Sequence, residues 1–390
     1  MRKNTRHGTI MNIVIAMMAI TSLVSCRKEY STIEPTVTPT PISESGDYTG
    51  FYLLCEGNMG SNKATLDYYD YKTGIYSKNI FPKANPGLAR ELGDVGNDLK
   101  IYGGKLYAVI NCSHFVEVMD VRNAKHITQI SIPNCRYITF SGKYAYVSSY
   151  AGPVEIDPNA RKGYVAKIDT TTLEVVAECI VGYQPEEMAV AGNKLYVANS
   201  GGYMAPNYDR TVSVIDLSTF QVIKTIDAGI NLHRMAKDRF GNIYVSSRGD
   251  YSSIPSKTFV ISTVTDEVVE TLELLPNSGM AVCGDSLYVY SAEWSNALSK
   301  NIVSYAIYNT KTRNIDSRNI ITDGTGQTIS TPYGIAVNPG TRDFFIADAK
   351  DYVTPGTLFC FSKDGQLKWK VTTGDIPAHV AFTTQHVQLP

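Results

Sequence analysis

Chemistry needs nucleophiles, proton carriers or metal ligands at workable spacings, and this chain offers few. Glu187, His233 and His379 could move protons, but there are only six histidines and none lies in a motif. The patterns GxSxG, HExxH and GxxxxGK(S/T) do not occur. Arg248-Gly249-Asp250 reads as loop turn chemistry. The residues that stand out suit binding instead: Tyr150, Tyr203, Tyr208, Tyr251, Trp294 and Tyr352, interspersed with Asn199, Arg248 and Glu293. Tyr and Trp give large contact area with few rotors to freeze. Amides and charges between them suit a large ligand with apolar faces and polar edges. These nine are the expected ligand-binding residues. No catalytic residue, metal site or required cofactor is expected, and the chain is read as a non-enzyme.

Such residues need a scaffold, and the sequence repeats one. Seven segments place an aromatic in a β-branched run: 51–54, 106–109, 145–148, 195–198, 243–246, 287–290 and 344–347. Spacings of roughly 40–55 residues indicate a solenoid or a propeller. The clearest unit spans 185–227. Met188-Ala189-Val190 is a strand, Gly192-Asn193 a tight turn, and Lys194 to Asn199 a second strand. Thr211 to Asp216 and Gln221 to Ile226 complete a four-stranded antiparallel blade. The last segment, Ile376 to Phe382, resembles the first strand of such a unit and has no second strand after it. The earliest unit, at Phe51, lacks a first strand. The predicted fold is therefore all-β: a seven-bladed β-propeller, four antiparallel strands per blade, with the C-terminal strand completing the first blade. Few helices are expected.

This strand order sorts the connections onto two rims. One rim carries tight turns such as Gly192-Asn193 and Gly284-Asp285. The other carries long second-to-third loops, including Ser149–Gly163, Asn199–Arg210, Arg248–Ser256, Ser291–Lys300 and Asp348–Gly356, and all nine candidates lie there. Long connections are uncommon unless functional. The plainer alternative is that these rings cap the blades and touch nothing else. At the first-strand starts, where propeller hydrolases hold metals, stand Arg136-Tyr137, Glu186-Glu187, His233-Arg234, Ser278-Gly279, Tyr333-Gly334 and Ala378-His379. That mixture does not make an oxygen cage for calcium.

Composition agrees with a globular β protein. Apolar residues make up 43% and charged residues 19%, which excludes a largely disordered chain. The 26 tyrosines against 2 tryptophans favour strands with amphipathic rings. A net charge of −1 gives no general grip on nucleic acid. The cysteines after residue 26 show no CxxC or zinc spacing. The register puts Cys112 and Cys135 near one rim, where one bridge could form; buried free thiols are the favoured reading.

The N-terminus reads as an address. Arg2, Lys3 and Arg6 precede an apolar run from Ile10 to Ile20, followed by Leu23-Val24-Ser25-Cys26. That is the layout of an export signal, and its end resembles the lipobox of bacterial lipoproteins, with lipid on Cys26. The run is short for a membrane span, which needs about 20 residues. The predicted organisation is a signal peptide over 1–25, a lipidated cysteine with a Thr/Pro-rich stalk over 26–46, and the propeller over 47–390. Cleavage removes Arg2, Lys3 and Arg6 and no acid, moving the net charge from −1 to −4.

The repeated core, for example KLYVANSGG and TVSVIDLSTFQVIKTI, is similar to the YncE-like family of seven-bladed exported propellers. With the lipobox, stalk and Tyr-rich loops added, the chain resembles BtuG-type surface lipoproteins. That resemblance implies binding of cobalamin and related corrinoids on the long-loop face and transfer to a TonB-dependent transporter. It also implies a lipid anchor in the outer membrane, facing outward. Two other classes are weighed: an interaction module for a protein, glycan or nucleic-acid partner, and an enzyme of the lactonase or lyase propeller type.

Overall fold

The second strands are apolar on both faces. Lys194–Asn199 is buried throughout except at Lys194, whereas Val175–Ile180, a fourth strand, is largely exposed. This gradient is what a radial stack of sheets requires. Inner strands are covered by the blades on either side, and outer strands meet water. The computed structural model describes residues 33–88, 91–295 and 299–389. It contains seven sheets arranged as a seven-bladed propeller of antiparallel four-stranded blades, the first carrying a fifth strand. Among the described residues, helix is limited to one turn of α-helix, Phe81–Ala84, and one 3-10 turn, Thr325–Thr328.

The seven repeated segments are the seven second strands. Their aromatics, Tyr52, Tyr107, Tyr146, Tyr196, Tyr244, Tyr288 and Phe345, are all buried. Each belongs to a separate hydrophobic cluster joining its own blade to the next. The core is thus seven interblade wedges, and one bulky ring per blade fills each wedge.

Closure occurs as the sequence predicts. The strand Pro377–Thr383 pairs antiparallel with Gly50–Cys55, in the register Phe51 opposite Phe382 and Leu54 opposite His379. Thr49 adds a backbone bond to Thr383 O at 2.9 Å.

Two local features differ from expectation. Residues 36–46, expected within a stalk, lie against the ring. Thr36–Pro39 pairs with Ile75–Lys78 as a fifth strand on the outer edge of blade one, and Trp369 Nε1 donates to Ser43 Oγ at 3.2 Å. The open edge of an outer strand invites such pairing, Val37 and the flanking threonines suit it, and the prolines that follow end it. Second, the loop expected at Ser291–Lys300 is mostly strand. Ser286–Ser295 and Lys300–Asn309 pair continuously as a long hairpin. Its alternating polar and apolar residues extend the ladder beyond the ring. The six described cysteines are all free thiols.

Candidate functional site

In an antiparallel blade the first strand begins where the second ends. Residues at those two positions therefore collect around the channel on the long-loop side. Arg136 and Tyr137 open the first strand of blade three, Cys135–Ser141. Glu186 and Glu187 open that of blade four, Pro185–Ala191, and His233 and Arg234 that of blade five, Leu232–Lys237. Glu56, Tyr150 and Arg248 each follow directly on the second strands of blades one, three and five.

Glu186 is the hub. It is fully buried. Arg136 reaches one carboxylate oxygen with Nε at 3.1 Å and Nη2 at 3.0 Å. Arg248 Nη1 lies 3.2 Å from the other, and the Tyr150 hydroxyl donates to that same oxygen at 2.5 Å. The Arg136 guanidinium also packs 4.7 Å from the Tyr150 ring centroid. Burial alone pushes the Glu186 carboxyl up; the two guanidiniums outweigh it and hold the group below the usual carboxylate range.

A second group crosses the axis. Tyr137 of blade three meets blade five, skipping blade four: its hydroxyl accepts Arg234 Nη1 at 3.0 Å and lies 2.9 Å from His233 Nε2. Burial, then the fields of Arg248, Arg234 and Arg136, push His233 well below the ordinary imidazole range, so it is neutral. Opposite, Tyr333 donates to Glu56 at 3.0 Å, and His379 Nε2 lies 3.1 Å from the other Glu56 oxygen. Asp98 faces His379 Nδ1 at 3.9 Å and Lys100 at 3.2 Å. No three His, Cys, Asp or Glu residues form a metal-binding group among the described residues.

The nine sequence-predicted residues divide. Tyr150 and Arg248 meet at Glu186, and Tyr203 packs on Tyr150 with ring centroids 6.3 Å apart. Tyr352 packs edge-on against Tyr333 at the channel mouth, 5.8 Å between centroids. Tyr208 lines a groove of about 650 Å³ with Met204, Asn207 and Arg210. Tyr251 and Trp294 are 69% and 63% exposed. Glu293 accepts from Ser256, which immediately precedes the third strand of blade five, Lys257–Ser262. Asn199 is fully buried, spending its amide on Thr211 and Ser213 at 3.0 Å each and accepting the Gly182 N–H. It braces the loop from beneath. Arg136, Tyr137, Glu186 and His233 are the central group that reasoning from loops leaves out. Their signal in the sequence is position: each opens a first strand, so the blade register brings them together.

Of the six well-exposed aromatics among the described residues, Tyr203, Tyr251, Trp294 and Tyr352 lie on the long-loop rim. Tyr102 and Phe240 lie at the tight-turn rim, where Tyr102 stacks on Phe140 at 4.5 Å.

Fold and site together define a seven-bladed β-propeller with an ionic channel mouth beneath an aromatic rim. The chain belongs to the family described as a domain of unknown function (DUF5074), whose model matches residues 49–371. No curated protein matches it. Solved structures share the fold at low identity. Hydrazine synthase of Kuenenia stuttgartiensis superposes with a TM-score of 0.57 at 16% identity, covering 73% of this chain and 89% of that one. A quinoprotein alcohol dehydrogenase-like protein of Bacteroides thetaiotaomicron gives 0.55 at 14% identity, covering 87% and 79%. Likeness at this level concerns the fold alone.

Proposed function

We propose that this protein is a non-enzymatic receptor that binds cobalamin or a related corrinoid on its long-loop face. The supporting observation is the exposed group Tyr203, Tyr251, Trp294 and Tyr352 on one rim above a polar channel mouth. A corrin is a broad, mostly apolar disc edged with amides, with a phosphate in its nucleotide tail. Rings would cover the disc, and loop polar groups would pair with its edge. Blades locked by seven hydrophobic wedges keep the ordering cost low. In this reading Cys26, which lies outside the described residues, carries lipid and anchors the protein on the outer face of the outer membrane. A TonB-dependent transporter receives the vitamin.

Calorimetric titration of the purified protein with cyanocobalamin tests the binding. One saturable site is expected, and no heat at micromolar concentrations would overturn the reading. Cys26→Ser should release the protein from the membrane fraction, and unchanged membrane retention would remove the anchor.

A second reading, a module for a protein partner, draws on the groove between blades three and four. Ile180 and Val222 from the outer strands line it beside Tyr208. Capture of an outer-membrane partner that Tyr208→Ala abolishes, with no corrinoid binding, would favour it.

A further inference from the structure

Three guanidiniums crowd one side of the channel mouth: Arg136 from blade three, and Arg234 and Arg248 from blade five. Arg136 and Arg248 are answered by Glu186. Arg234 is not. Its side-chain hydrogen bond goes from Nη1 to the Tyr137 hydroxyl at 3.0 Å, and among the described residues no carboxylate pairs with it. The nearby acid, Glu187, spends Oε2 on the Met235 N–H at 2.8 Å. Arg234 therefore stands out by its missing carboxylate contact and not by a charge excess, since Glu187 and Glu56 act on it only from a distance.

The contact between Arg234 and Tyr137 joins blades that are not neighbours, so both side chains meet in the axial channel. The Tyr137 ring also lies 5.2 Å from the Arg234 guanidinium carbon, which fixes that fork in place. Guanidinium presents five N–H donors in a rigid plane, and one phenol oxygen occupies only part of them. The unused donors belong to a half-buried guanidinium, where a charge-assisted bond to an oxyanion is stronger than at an open surface. His233 beside it is neutral and supplies no competing charge.

We propose that Arg234, braced by Tyr137, is an anion subsite at the floor of the long-loop face and takes a phosphate-type oxyanion. The placement rests on the reading that this face binds a ligand. Free inorganic phosphate and the phosphodiester of a corrinoid tail share this chemistry, and the test separates them.

Wild type, Arg234→Gln and Arg239→Gln are titrated calorimetrically with sodium phosphate, with sodium chloride at matched ionic strength as reference. Arg239 pairs with Asp285 on the opposite rim and serves as control. The same proteins are titrated with cyanocobalamin and with dicyanocobinamide, which lacks the phosphate. Saturable phosphate binding is expected in wild type and in Arg239→Gln, weakened about tenfold or more in Arg234→Gln. Cyanocobalamin should weaken similarly in that variant while cobinamide is unchanged. Phosphate binding that depends on Arg234 without any corrinoid binding would leave the subsite standing and remove the corrinoid reading. Equal cyanocobalamin affinity in all three proteins, with no saturable phosphate binding in wild type, would overturn the subsite and leave the corrinoid reading intact. Should Arg234→Gln fail to fold, Arg234→Lys keeps the charge and removes the fork, and the wild-type phosphate titration decides alone.

Discussion

Arg136 reaches from blade three to Glu186 of blade four and places two nitrogens, at 3.1 and 3.0 Å, on a single carboxylate oxygen. With Arg248 on the other oxygen, Glu186 neutralises charge that would otherwise repel across the channel. Breaking such a buried pair from one side leaves uncompensated charge and costs about 3–5 kcal/mol. Glu186→Ala is therefore expected to lower the unfolding free energy by that amount in urea denaturation, and an unchanged midpoint would contradict the hub role. Because the carboxyl is held below its ordinary range, its contribution is present above the unfolded value and is lost as pH falls through the folded one.

Asp67 behaves in the opposite way. It is fully buried, accepts the Tyr76 hydroxyl at 2.5 Å and the Asn79 N–H at 2.8 Å, and burial still pushes its carboxyl from 3.8 up to about 6. The folded state then holds this proton more tightly than the unfolded chain. Stability from this group falls as pH rises from 3.8 through about 6 and is level beyond. The penalty at neutral pH is on the order of 3 kcal/mol. Asp67→Asn should gain on wild type across that window in urea unfolding at stepped pH. Parallel curves would refute the assignment.

Closure of the ring rests on packing as well as pairing. Phe51 has no exposed surface and contacts Tyr69, Phe345 and Phe382 with ring centroids 5.1, 5.0 and 5.8 Å away. Phe51→Ala is expected to cost about 3–5 kcal/mol, read from chemical denaturation. A loss under about 1 kcal/mol would mean the wedge between blades seven and one collapses onto the gap.

Binding should depend on the exposed rings. Removing Trp294 and Tyr251 together should weaken cyanocobalamin binding by several kcal/mol if both are central anchors. Stability should hardly move, since both rings are largely exposed. Unchanged affinity in a folded double variant places the ligand elsewhere on the face.

The repeat was readable because each interblade wedge demands one aromatic in a β-branched strand, as at Tyr146, Tyr196 and Tyr244. Closure was readable because the last segment copied first strands such as Gln184 to Val190. The channel mouth was less legible. Arg136, Glu186 and His233 are separated by dozens of residues, and only the shared start of a first strand unites them. Asn199 misled because a loop amide looks the same in sequence whether it faces a ligand or its own hairpin. Thr36–Pro39 was hidden because a Thr/Pro composition says nothing of an available sheet edge.

The pairing of Gly50 with Thr383 spans nearly the whole polypeptide. Ribosomes build proteins from the amino end, so Phe51 to Leu54 emerge long before their inner partner exists. A nascent chain must carry an unfinished, sticky edge until Pro377–Thr383 has been made. Assembly of the circle consequently waits for Pro377–Thr383, and a chain cut before that segment would leave blade one without its innermost strand.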